Sequence, residues 1–244
     1  MTNNGIDASQ RTAARIAGIA FVFGIAIVVF GEFWVSAGLI VPGNAAETAR
    51  NLLAHESRFR VNIACNLLYV ADLQVLAAAL YVILKPVNSG LALAATLCRL
   101  VFATMWLLTA LNMLAALGLL GDAPYLHVIE TERLQALARA RIRESFNAYY
   151  VGLPFFALAS TFCSWLWLKS RYIPRSLAAF GVAASAWCVF CAFVFIVFPD
   201  FNKTVNDWWF DSPMALFELA TGLWLLIGGL GHAGPVAVAS ERVA

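Results

Sequence analysis

Charge is scarce in this sequence. Asp, Glu, Lys and Arg together make up 12% of its 244 residues, about half the share typical of soluble domains, which excludes a water-soluble fold of ordinary make-up. The 16 basic and 14 acidic residues leave a net charge of +2. They form neither a basic block nor an acidic tail, so nucleic acid is not an expected partner. Cysteine is missing from the connections. All five (Cys65, Cys98, Cys163, Cys188, Cys191) fall in apolar stretches, so structural disulfides are not implied. Cys188 and Cys191 form a C-x-x-C, but on a continuous apolar segment without the further Cys or His that a zinc site needs. His55, His127 and His232 show no metal spacing, and neither a Gly-rich phosphate loop nor a nucleophile elbow occurs. No cofactor, metal or catalytic motif is therefore expected.

What the sequence has in abundance is apolar length. Hydrophobic residues make up 62% of it and the mean hydropathy is +0.79, spread over the whole chain. Crossing the hydrocarbon of a bilayer, roughly 30 Å, takes about 20 helical residues. Runs of that kind lie near Ile16–Ile40, Val61–Leu84, Leu91–Leu120, Tyr149–Leu168, Leu177–Phe198 and Ala215–Leu230. The runs are apolar on every face, whereas membrane strands alternate over segments of about ten residues. The expected fold is therefore an all-α polytopic transmembrane bundle of about six spans, with the lipid bilayer as its main partner. Arg11 and Arg15 before the first run, and Val35-Ser36-Ala37 within it, resemble a signal peptide. The run is longer than the usual apolar region of about 7–15 residues, so it reads as retained.

The organisation follows: a tail over 1–14, one transmembrane domain over 15–231 and a tail over 232–244. Lys85 in the turn Lys85-Pro86-Val87-Asn88, and Lys169, Arg171 and Arg175 in another short link, have no acids beside them and read as cytoplasmic. Both termini then face the cytoplasm of a plasma or inner membrane. The outer connections mix signs and read as interfacial helices. One starts with Asn44 three positions before Glu47, a capping pattern, and would turn Leu52, Leu53 and Phe59 to lipid. The other, about Ala123–Phe146, sets Leu134, Leu137 and Ile142 against an Arg-rich side, as an interfacial helix or an ordinary surface helix does. Trp208, Trp209 and Phe210 near Asp200, Asp207 and Asp211 suit the headgroup level.

Chemistry, where present, belongs to polar groups inside the spans, because ionisable side chains at membrane depth are rare and face the bundle interior. These are Glu32, Asp72, Arg99 and Glu218, with Asn62, Asn66, Gln74 and Asn112 in support. Asp72 and Arg99 lie at similar distances on either side of the Lys85–Asn88 turn, which puts both about 20 Å from it at helical rise. They are expected to pair, either as a structural ion pair or as part of a substrate or proton site. At about 100° per residue, Asn62, Cys65, Asn66, Tyr69 and Asp72 fall on one stripe, read as side-chain packing or as a hydrated path. Ala92, Ala95, Ala103 and Ala110 around Arg99 permit close helix approach. Glu32 and Glu218 fall at matching depth, about 9–12 Å below the outer surface, as structural carboxylates or as a proton or cation site. Gly222 and Gly229 share the face of Glu218.

Several of these residues also resemble a known family. Glu32-Phe33, the run Leu39-Ile40-Val41-Pro42-Gly43, Asp72, the run Ala79–Asn88 and Arg99 resemble the bacterial domain of unknown function 4386 family. Tyr149–Phe156, the link Lys169–Arg175 with Tyr172 and Pro174, and Glu218 with Trp224 resemble its second half. The resemblance covers about Arg15 to Leu230 and implies a multi-pass bacterial membrane protein, with no known reaction. Two functions fit the residues best: a small-solute or proton-coupled transporter using the buried acids, or a structural or regulatory subunit in which they serve packing alone. A small-molecule ligand belongs to the first. A membrane enzyme would need a nucleophile or metal that is not found, and no inverted repeat relates the two halves.

Overall fold

The computed structural model describes residues 6–198, 200–201, 204–206 and 208–231, the side chains of Trp208 and Phe210 excepted. The tail 232–244 with His232, residues 1–5 of the other tail, and Asp207 lie outside the described residues. All the regular elements among the described residues are helices: α1 (Ala8–Val29) continuing into a π-helical segment (Phe30–Val35), α2 (Ala45–Ala54), α3 (Glu56–Leu84), α4 (Ser89–Leu120), a 3-10 turn (Pro124–Leu126), α5 (Thr131–Ser170), α6 (Arg175–Val197) and α7 (Trp208–Ile227).

Local chemistry sets where these helices begin. Asp7 and Gln10 form a capping box, with Gln10 N–H donating to Asp7 Oδ1 at 2.6 Å and Asp7 N–H to Gln10 Oε1 at 3.2 Å. The first helix therefore starts eight residues before the apolar run that marks it. Asn88 caps α4 by accepting from the Leu91 N–H at 2.9 Å. Asn44 caps α2 in the same way, accepting from Glu47 N–H at 3.0 Å, while its own amide donates to the Glu47 carboxylate at 2.9 Å. Each bond satisfies a backbone or side-chain group that the first helical turn leaves open.

Among the described residues, five helices are long and apolar enough to cross a membrane: Ala8–Val35, Glu56–Leu84, Ser89–Leu120, Thr131–Ser170 and Arg175–Val197. The sixth expected run corresponds to α7, a 20-residue helix that carries Asp211 in its first turn. The six long helices pack as neighbours in the order α1, α3, α4, α5, α6, α7, and α7 returns to α1. They close into a ring. Small residues allow its tightest seams. A Cβ on Gly222 of α7 would lie 2.8 Å from the Cβ of Phe21 on α1, and one on Gly152 of α5 would lie 2.8 Å from the Cβ of Met105 on α4. Ala92, Ala95, Ala103 and Ala110 are all buried.

One end of the ring is tied together. The Gln10 side-chain amide donates to the Ile83 carbonyl at 3.1 Å and to Tyr172 Oη at 3.3 Å, and the Gly231 N–H donates to the Tyr172 carbonyl at 2.8 Å. The start of α1, the Lys85–Asn88 turn, the Arg171 link and the end of α7 thus share that end. A packed apolar cluster including Ala17, Leu80, Leu166 and Trp167 fills it. The other end is capped by α2. There Leu52 and Phe59 are fully buried with Leu39, Met113 and Ile142, and only Leu53 is exposed.

Several expectations are corrected here. Leu52 and Phe59 face the core because α2 folds back over α4 and α5. The segment expected as a separate interfacial helix is the front of α5, a single helix of 40 residues. At helical rise that is about 60 Å, twice the hydrocarbon thickness. Neither Gly nor Pro interrupts Ser145–Tyr149, so nothing stops the helix there. Gln74 is exposed on the outside of the bundle. Gly229 lies beyond the end of α7 with a φ of 64°, and among the described residues nothing comes within 4 Å of a Cβ added there, so of the two glycines near Glu218 it is Gly222 that serves helix packing.

Candidate functional site

Arg99 is the most deeply buried charge described, at 2% exposure, and its partner is Glu218 on α7, with Nη2 to Oε1 at 3.5 Å. The ion pair expected between Arg99 and Asp72 is not made. Their equal distance from the hairpin turn fixes depth along the helices but not rotation about them. Arg99 points between the rings of Phe21 and Phe156, 5.9 and 5.8 Å from their centroids, a geometry in which the aromatic faces attract the cation. Asp72 faces α1 instead. A Cβ on Gly24 would stand 2.8 Å from Asp72 Oδ2, so this glycine gives the carboxylate its room. Asp72 Oδ2 is buried and accepts no hydrogen bond, and the residue lies within electrostatic reach of both Glu218 and Arg99.

Inside the ring is a cavity of about 490 Å³, within the size range of small-molecule sites. Asp72, Tyr69, Glu218, Glu32 and Asn62 line it, on walls contributed by α1, α3, α4, α5 and α7. Glu32 sits in the π-helical segment, and π-turns recur at functional sites. Ser36 Oγ donates to its carboxylate at 3.3 Å, and Glu32 and Phe33 are both exposed. Glu32 therefore marks the cavity's rim, while Glu218, at 9% exposure, marks its base.

The structure gathers the seven residues singled out from sequence unevenly. Glu32, Asn62, Tyr69, Asp72 and Glu218 line the one cavity. Arg99 stands behind Glu218, outside the lining. Asn66 turns away into the packing between α3 and α4, where its amide donates to the Asn62 carbonyl at 2.9 Å and approaches Met113 Sδ at 3.6 Å. That is a structural role.

Three lining residues were missed. Tyr149 on α5 donates to Asp211 Oδ2 on α7 at 2.7 Å. Trp106 stacks edge-on with Tyr69 at 4.9 Å and with Tyr149 at 6.1 Å. A signal exists for two of them: Asp211 precedes Glu218 by seven positions and Trp106 follows Arg99 by seven, two turns that bring each pair to one helix face. The aromatic and acidic setting of Asp211 had suggested headgroup anchoring instead. Among the described residues none of the lining side chains is basic, while four are acids: Glu32, Asp72, Asp211 and Glu218. Cys188 and Cys191 are buried free thiols away from the lining.

A ring of long apolar helices around an acid-lined cavity defines a multi-pass helical membrane protein. Residues 16–229 match the family described as Domain of unknown function (DUF4386), and the chain belongs to that family. No curated protein and no solved structure matches it.

Proposed function

We propose that this protein is a proton-coupled carrier of a small solute, which it holds in the cavity inside its helix ring. The observation that carries this reading is the cavity itself: Asp72 and Glu218 at its base, Glu32 at its rim, and an Asp72 oxygen without a hydrogen-bond partner. Buried polar groups are normally satisfied, so a carboxylate left open beside a cavity suits a site that exchanges occupants, protons included. The packed cluster around Leu80, Leu166 and Trp167 closes the opposite end, as in a carrier open to one side only. The acid-free basic residues Lys85 and Arg171 lie at that closed end. By the positive-inside rule it faces the cytoplasm of a plasma or inner membrane, with α7 as the sixth crossing and both termini inside.

Proton uptake tests the reading. Liposomes containing the purified protein and a pH dye, with a mixture of neutral, anionic and cationic small organic solutes on both sides, are given a potassium diffusion potential, negative inside. The carrier acidifies them faster than protein-free vesicles do, and Asp72→Asn returns the rate to that of the empty vesicles. A wild-type rate equal to the empty-vesicle rate contradicts proton coupling. A second reading, a structural or regulatory subunit, is favoured by one observation. The Arg99–Glu218 contact joins α4 to α7 across the ring, a staple that needs no solute.

A further inference from the structure

We infer that the occupant of the cavity is an organic ammonium ion with an apolar body, its charge held near Asp72 and Glu218 against the Tyr69–Trp106–Tyr149 wall. This rests on the carrier reading above and names its substrate class.

Charge decides the sign of the ligand. Four carboxylates line the cavity among the described residues, and no lining side chain is basic. The nearest cation, Arg99, is outside the lining and already engaged with Glu218 at 3.5 Å. An anionic ligand would meet uncompensated acids in a low-dielectric interior, where like charges repel strongly. A cation would meet the surplus.

The polar groups at the base are incompletely used. Asp72 lines the cavity and has a buried Oδ2 that accepts no hydrogen bond, while Glu218, nine-tenths buried, shares its Oε1 with Arg99 at 3.5 Å. Unmet buried polar groups carry a free-energy cost. A protonated amine would offer N–H donors to the carboxylates in charge-assisted hydrogen bonds.

The remaining wall decides the body of the ligand. Tyr69 and Trp106, 4.9 Å apart, and Tyr149, 6.1 Å from Trp106, line the cavity with aromatic rings, the groups whose faces attract organic cations. Beyond them the lining is apolar, with Leu73, Phe102 and Met214 among its residues. A hydrated metal ion would not use those contacts, whereas an amine with hydrocarbon substituents would. Val29 and Phe33 on the α1 side and Phe146 on the α5 side are lining residues that are also exposed. The cavity therefore reaches the apolar flank of the bundle, a route open to a ligand that partitions into lipid.

The test is equilibrium dialysis of radiolabelled dibenzylamine, protonated at neutral pH, against the purified protein in a maltoside detergent. Its competitor is 1,3-diphenylpropane, a hydrocarbon of the same shape without the charge. Saturable binding of one amine per chain is expected, with little displacement by the hydrocarbon and at least a tenfold weakening in Asp72→Asn. Ala215→Trp, which fills the cavity from an exposed lining position, gives a second variant and should also remove binding. Absence of saturable binding overturns the inference, as does equal displacement by the hydrocarbon or undiminished binding in the two variants. Proton uptake that depends on Asp72 in a protein that binds no amine would overturn the substrate class while leaving the carrier reading standing. Amine binding without proton uptake would do the reverse.

Discussion

Arg99 on α4 and Glu218 on α7 meet across the helix ring at 3.5 Å, with the guanidinium set between Phe21 and Phe156. This contact joins a helix of the first half of the chain to its last helix. It also leaves Asp72 as the acid at the cavity base without an ion pair of its own.

That arrangement separates the energetics of three charges. Removing Arg99 or Glu218 alone leaves the other buried and uncompensated, an effect of about 3–5 kcal/mol in comparable buried pairs. Arg99→Met and Glu218→Met should each lower the thermal unfolding temperature in detergent, and the double variant should recover much of the loss. Asp72→Asn should be neutral or stabilising. A double-mutant cycle in which Arg99 couples more strongly to Asp72 than to Glu218 would contradict the assignment.

The seam between α1 and α7 depends on the absence of side chains. A Cβ on Gly222 would sit 2.8 Å from Phe21 Cβ and 3.2 Å from the Gly18 carbonyl, atoms fixed close to the backbone. Gly222→Val should destabilise the protein by about 1–3 kcal/mol, the usual range for overpacking. Gly118→Ala, with nothing within 4 Å of the added carbon, should be tolerated. Unfolding in detergent compares the two.

At the capped end, Arg58 donates from Nη2 to the carbonyls of Val35 at 3.0 Å, Trp34 at 3.3 Å and Ala37 at 3.4 Å. A cation at a helix C-terminus satisfies open carbonyls and favours the helix dipole. Arg58→Ala should cost about 1 kcal/mol, since the side chain is exposed. Amide hydrogen exchange should accelerate over residues 35–42 and stay unchanged in the Lys85–Asn88 turn.

Orientation in the membrane has its own test. Single cysteines at positions 85 and 171 should resist an impermeant maleimide added outside intact cells, and one at position 58 should react. Labelling at 171 with none at 58 would invert the topology.

The spans were legible in the sequence because twenty apolar residues in a row have few other uses. The cap at Asn44 was legible for a similar reason, since its chemistry is local. What failed was whatever depended on rotation or on distant partners. Counting from the Lys85 turn put Asp72 and Arg99 at similar depth, yet it could not show that Asp72 turns toward Gly24 and Arg99 toward Glu218. The 100° reckoning grouped Asn62, Asn66, Tyr69 and Asp72, and the structure divides them between the cavity and the α3–α4 contact. Leu52 and Phe59 read as lipid-facing because nothing near them in sequence announces that α2 folds back over α4 and α5. The Tyr149–Asp211 bond was not legible because it joins two helices 62 positions apart in sequence.

The most direct measurement concerns whether solutes reach the cavity base. With the five native cysteines replaced, Asp72→Cys is exposed to the cationic thiol reagent methanethiosulfonate ethyltrimethylammonium, added from either side of sealed, oriented vesicles. The account predicts modification from the side of Glu32 and Phe33 and none from the side of Lys85. Failure to react from either side in a folded protein would contradict it, leaving the buried charges as packing elements alone.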